Sequence, residues 1–177
     1  QKEGNTLRRP PIDTLSEFLD KTDLKIIVKE VGQGMGPESI KRLMSLPIEA
    51  LEFAAFGGTN FARLELARNT PSAGALFQPF TLVGHTAGEM VDTVNSLVEN
   101  ETSLACRQLI ISGGINSFLD GYYYIAKSKL PAVYGQASAF LKHARGDYKN
   151  LQAFVAGQLN GLKFARAFLK IRTDDPK

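Results

Sequence analysis

Lys25-Ile26-Ile27-Val28-Lys29-Glu30-Val31-Gly32, then Pro37 with Ile40, Leu43 and Met44, then Ala50-Leu51-Glu52-Phe53-Ala54-Ala55 running out into Gly57-Gly58-Thr59: this stretch sets the fold. The Ile- and Val-rich segment 25–31 reads as a strand, because β-branched side chains suit a pleated surface. Pro37 fits the first turn of a helix, where its missing N–H costs nothing, and Ile40, Leu43 and Met44 follow at helical spacing. Residues 50–55 then read as a second strand, which completes one βαβ unit.

The rhythm continues in both directions. Upstream, Leu15, Phe18 and Leu19 mark a helix over 14–19 behind a cap at Asp13 or Thr14. Downstream, Met90, Val94, Leu97 and Val98 mark a helix, and residues 108–111 a strand that ends in Ser112-Gly113-Gly114. Residues 118–126 are helical in pattern, 132–135 a short strand, and 151–169 carry Leu151, Phe154, Val155, Leu162 and Leu169 on one helical face. Four strands alternating with helices imply a parallel sheet with right-handed crossovers, either an open doubly wound sheet or part of a (β/α)8 barrel. A whole barrel takes about 250 residues, so a chain of 177 supplies roughly half of one.

Composition narrows the function. With 44% hydrophobic residues the chain can bury one core, and no linker or low-complexity stretch divides it. The net charge of +3 is too small and too dispersed for a nucleic-acid groove, yet compatible with an anionic small ligand. Cys106 is the single cysteine, which rules out an internal disulfide and a Cys-based zinc or iron–sulfur site built from this chain alone. No apolar run approaches the roughly 20 residues of a membrane helix, and a soluble protein of the reducing cytoplasm is expected.

Three strands end in small residues followed by hydroxyl or amide side chains: Gly57-Gly58-Thr59-Asn60, Ser112-Gly113-Gly114 and Gly135-Gln136-Ala137-Ser138. In parallel α/β folds the ligand sits at the carboxyl ends of the strands, where glycine lets backbone amides approach a phosphate. One such pair is most simply a tight turn, whereas three together favour a phosphorylated cofactor. Lys29 and Glu30 place opposite charges at the end of an apolar strand. If alternation sends Lys29 into the mouth, its ammonium can stabilise negative charge on a bound ring or phosphate; the alternative is a solvated Lys–Glu pair. His85 and His143 lack metal-ligand spacing and read as structural or solvated. Gly32-Gln33-Gly34-Met35-Gly36 lacks the full dinucleotide fingerprint and reads as a loop. Tyr122 to Tyr124 read as packing plus one exposed ring, and Arg63, Glu65 and Arg68 as a surface ion-pair set.

Taken in order, residues 27–32, Gly34-Met35, the run from Gly57 to Arg63 with Glu65 and Arg68, Ser112-Gly113-Gly114-Ile115 and Phe140-Leu141-Lys142 resemble the landmarks of type 2 isopentenyl-diphosphate isomerase. Glu3-Gly4 is similar to the end of a Pro-Glu-Gly segment that follows the family's fourth barrel strand. The resemblance implies that residues 1–177 are the C-terminal half of a single FMN-binding (β/α)8 barrel domain, strands five to eight. It further implies an FMN- and Mg2+-dependent enzyme, with NADPH as reductant, that interconverts isopentenyl and dimethylallyl diphosphate as a homo-oligomer.

By the same resemblance Lys29 would contact the flavin ring near its N1 and O2 edge and Thr59 would bind FMN. Gly113, Gly114, Ile115, Ala137 and Ser138 would surround the phosphate. The family's catalytic Gln and its magnesium-binding Glu are expected upstream of residue 1, so no catalytic or metal residue is assigned here and the isolated chain is expected to be inactive. Ala54-Ala55-Phe56 replaces a Gly-rich approach, with the Phe56 ring expected to crowd the flavin, and Ala137-Ser138 replaces Ala-Gly. Two other readings remain: an FMN-dependent α-hydroxy-acid oxidase, which needs a His and an Arg at the site, and a non-catalytic flavin- or phosphate-binding half-barrel.

Overall fold

The structure, a computed structural model, describes residues 9–68 and 75–172. Glu3-Gly4 lies outside the described residues. Helix α1 (Pro11–Leu19) precedes strand β1 (Ile27–Lys29), α2 (Pro37–Met44) and β2 (Ala50–Glu52). Next come α3 (Phe61–Ala67), a 3-10 turn (Gln78–Leu82), α4 (Ala87–Asn100) and β3 (Leu109–Ser112). The chain continues through α5 (Phe118–Lys127), β4 (Ala132–Gly135), α6 (Ser138–Ala144) and α7 (Tyr148–Phe168).

The four strands pair in parallel in the order β1-β2-β3-β4. Val28, Leu51, Phe53, Leu109, Ile111 and Tyr134 pack toward one side, against Ile40 and Met44 of α2 and Met90, Val91 and Val94 of α4. Burying these apolar side chains supplies most of the favourable folding energy, at roughly 25 cal/mol per Å2 of apolar surface. Ile27 and Val133 belong to the other face of the sheet and are 52% and 59% exposed.

This architecture corrects the expected half of a (β/α)8 barrel. The described residues form a small α/β domain with an open four-stranded sheet, in which β1 and β4 are the edges. Alternating strands and helices dictate parallel pairing and crossover hand, but closure depends on strand number, tilt and stagger, none of which the hydrophobic pattern encodes. β1 and β2, of three residues each, are shorter than the runs 25–31 and 50–55 because the chain leaves the sheet early to form a rim loop, whereas β3 is displaced by one residue from 108–111 and β4 spans 132–135 as expected.

Local signals explain several boundaries. Proline opens both α1 and α2 at a first-turn position, so α1 begins at Pro11 rather than behind Asp13. Thr86 and Glu89 form a capping box at α4, and Ser117 and Asp120 another at α5. Thr86, through its backbone N–H and its hydroxyl, holds the Glu89 carboxyl below its ordinary value. That stabilisation is present above the unfolded-state value and is lost as pH falls through the lowered one. In α5, Gly121 lies beneath the Tyr134 ring, where an added Cβ would sit 2.5 Å from the ring.

Candidate functional site

The carboxyl ends of all four strands open into one cleft of about 590 Å3. Lys29, Thr59, Gly113, Gly114, Ile115, Ala137 and Ser138, the seven residues singled out from sequence, all line it. Glu52, Ser112 and Gln136 join them, and sequence reasoning gave Glu52 no role.

The rim at β3 and β4 is built from backbone. Gly113 has φ +89, and a Cβ there would stand 2.1 Å from the Ala55 carbonyl oxygen. The Gly57-Gly58 turn packs on it in return, with Cβ positions 3.2 Å and 3.1 Å from the Gly114 and Gly113 Cα atoms. These glycines therefore serve close packing between two loops as well as exposure of backbone groups to the cleft. Ala137 and Ser138 open α6, whose first turn has no side-chain cap. Gln136 donates from Nε2 to the Asn116 carbonyl at 2.7 Å. Its Oε1 is buried with no protein partner, leaving an acceptor for a ligand hydroxyl or N–H.

The rim at β1 and β2 is built from charge. Register pairs Lys29 with Glu52, so both project from the same face of the sheet, and the Lys29 ammonium donates to Glu52 Oε1. Ser112 Oγ donates to the same oxygen at 2.9 Å and accepts from the Ala54 N–H at 3.1 Å. Glu30 does something else: one carboxylate oxygen accepts from the N–H groups of Gly32, Gln33 and Gly34 at 2.5, 2.7 and 2.9 Å, which shapes the β1–α2 loop. Of the two readings left open for Lys29 and Glu30, the geometry matches the one in which alternation turns Lys29 into the cleft and Glu30 away from it, and Lys29 pairs with Glu52 rather than with Glu30.

Other singled-out residues lie elsewhere. Phe56 does not line the cleft; its ring packs over Gly84, and its N–H donates to the His85 carbonyl at 2.8 Å. The His85 N–H in turn donates to the Gln33 carbonyl at 2.7 Å, a backbone brace between loops. His143 stacks on Phe154 with ring centroids 4.2 Å apart. Tyr122 donates to the Leu169 carbonyl at 2.7 Å, and Tyr123 meets Tyr124 edge-on. Burial pushes the Cys106 thiol up, away from reactivity. Arg68 and Glu65 pair at 3.6 Å. Among the described residues no group of three or more His, Cys, Asp or Glu could hold a metal ion, and no helix is long and apolar enough to cross a membrane.

Fold and cleft together define a parallel α/β domain with a candidate ligand site at the carboxyl ends of its strands, one rim glycine-built and the other carrying the Lys29–Glu52 ion pair. The chain is similar to the isopentenyl-diphosphate delta-isomerases of Bacillus pumilus, 31% identical over 97% of this chain and 45% of that protein, and of Metallosphaera sedula, 30% identical over 92% and 44%. It is also similar to that of Ignicoccus hospitalis, 29% identical over 92% of this chain and 44% of that protein. The chain thus spans less than half the length of the curated relatives it matches. No family model matches it.

These findings correct the resemblance to the type 2 enzyme. The relatives' names state a reaction without a type, at about 30% identity, and the sheet described above is open, not the barrel that the type 2 resemblance implied.

Proposed function

We propose that the protein carrying this chain is an isomerase of isoprenoid biosynthesis that interconverts isopentenyl and dimethylallyl diphosphate, and that the strand-end cleft binds FMN. The relatives' shared name supports the reaction. The observation that carries the cofactor is the convergence of all seven residues on one cleft with a glycine-built rim.

The residues fit a phosphorylated, ring-bearing ligand. Gly113, Gly114, Ile115, Ala137 and Ser138 would hold the phosphate, mainly through backbone donors, and the unpartnered Gln136 Oε1 would accept from the polar chain. Thr59 would contribute a hydroxyl. Lys29 would face the ring and stabilise negative charge there, an interaction stronger in a cleft than in open water. When bound, FMN supplies a reducible ring as the redox-active centre. The phosphate-binding groups would hold the cofactor so that its ring lies toward Lys29, and exclusion of water from the cleft would sharpen the effect of its charge.

The described residues offer no cage for Mg2+. The full reaction is expected to need Mg2+ and NADPH. The exposed Leu159, Phe164 and Phe168 of α7 support assembly as a homo-oligomer. An α-hydroxy-acid oxidase is disfavoured, since neither histidine lines the cleft.

The test is direct. The complete protein is incubated with isopentenyl diphosphate, FMN, Mg2+ and NADPH, and the products are separated. Dimethylallyl diphosphate above a no-enzyme control supports the reading. Its absence from a preparation that binds FMN would reject the reaction and leave a flavin-binding protein.

A further inference from the structure

We propose, on the reading of the cleft as a flavin site, that Glu52 is the positioning residue that holds the Lys29 ammonium over the cleft, and that Ser112 in turn fixes Glu52.

The register makes the pair possible, because Lys29 and Glu52 are direct neighbours at the ends of β1 and β2. A lysine ammonium on a four-carbon stem has no preferred direction of its own, and the Lys29 side chain is 54% exposed. Glu52 is the anchored partner, with 20% of its side chain exposed. The anchoring has a defined polarity. Ser112 Oγ accepts from the Ala54 N–H, which leaves its own proton for Glu52, so the carboxylate receives one hydrogen bond from Ser112 and another from Lys29. Ser112 is itself only 8% exposed and cannot easily turn away. The other nearby carboxylate, Glu30, is occupied by three backbone N–H groups of its own loop.

Stability is not the purpose of such a pair. A half-exposed ion pair contributes little to folding, since solvent screens it and ordering a lysine costs entropy. What it gains is direction, so that the cation is in place before the ligand arrives rather than being ordered by it.

The experiment uses the complete protein in wild-type, Glu52→Gln, Glu52→Asp and Ser112→Ala forms. Reductive methylation of each lysine is followed over time by peptide mass spectrometry, without ligand. Lys29 should react severalfold faster in Glu52→Gln and measurably faster in Ser112→Ala, while Glu52→Asp restores part of the protection and other lysines keep their rates. Equal Lys29 rates in wild type and Glu52→Gln would overturn the proposal. If Glu52→Gln does not fold, Ser112→Ala and Glu52→Asp decide by the same comparison.

A second arm measures FMN affinity across Lys29→Ala, Glu52→Gln and the double variant. Each should lose affinity, with Lys29→Ala losing roughly tenfold or more, the scale of a charge-assisted hydrogen bond. The double variant should be no weaker than Lys29→Ala alone. Additive losses would show that Glu52 acts independently of Lys29 and overturn the proposal. Should wild type bind no FMN, the flavin reading fails, and the methylation rates still decide whether Glu52 holds Lys29.

Discussion

The two rims of the cleft use opposite materials. At β3 and β4 the wall is backbone, made by Gly113, Gly114 and the opening of α6. At β1 and β2 it is side chain, made by Lys29 and Glu52 with Ser112 behind them. A backbone wall is rigid and tolerates almost no added atom; a side-chain wall can be altered without disturbing the fold. The same ligand would therefore meet a fixed seat at one end and a tunable charge at the other. Substitutions on the two sides should fail in different ways.

The largest effect is expected at the backbone wall. Gly113→Ala would force a Cβ to 2.1 Å from the Ala55 carbonyl oxygen at φ +89, so the β2 and β3 exit loops must separate. A loss of about 2–4 kcal/mol of stability is expected, because both backbone strain and overpacking are involved. Thermal melting and FMN titration should fall together. A Gly113→Ala variant with wild-type melting would show that the two glycine loops are not packed as described.

At the charged wall the two measurements should separate. Lys29→Ala should weaken FMN by about 1.5–3 kcal/mol, the worth of a hydrogen bond to a charged group, while melting barely moves. A large drop in melting temperature would recast Lys29 as structural. Thr59→Ala is expected to cost about 1 kcal/mol of FMN affinity, as for one neutral hydrogen bond. An unchanged titration would remove Thr59 from the site.

The smallest effect is expected between the rims. Ala54 has φ +41, a conformation that costs a non-glycine residue on the order of 1 kcal/mol. Ala54→Gly relieves this but adds about 0.4–1 kcal/mol of unfolded-state freedom, so the two changes nearly cancel. Chemical denaturation should give a stability within about 1 kcal/mol of wild type. A larger loss would mean that the Ala54 methyl packs against something essential.

The backbone rim was more legible in sequence than the charged one. Glycine pairs after apolar runs point to strand ends directly, and Gly113, Gly114, Ala137 and Ser138 indeed share the cleft. Glu52 was not legible, because its value comes from register: only pairing Ile27 with Ala50 brings it opposite Lys29. A carboxylate inside the apolar run Ala50-Leu51-Glu52-Phe53 was the available signal, a charge that a half-buried strand would not carry without a partner. For Lys29 and Glu30 strand alternation was enough to turn one toward the cleft and the other away, but the three backbone N–H partners of Glu30 come from loop geometry that sequence does not print. Sheet closure was not legible either: the alternation of strands and helices left an open sheet and a barrel both possible, and the barrel came with the resemblance, because the pattern does not encode whether the first strand meets the last.

The most direct test of the cleft compares FMN with riboflavin, which carries the same ring without the phosphate. In parallel titrations of the complete protein, FMN should bind on the order of tenfold tighter or more, since several charge-assisted hydrogen bonds from the β3–β4 rim would be lost with the phosphate. Equal affinity for the two, or no binding of either, would contradict a phosphate-anchored flavin site at the strand ends.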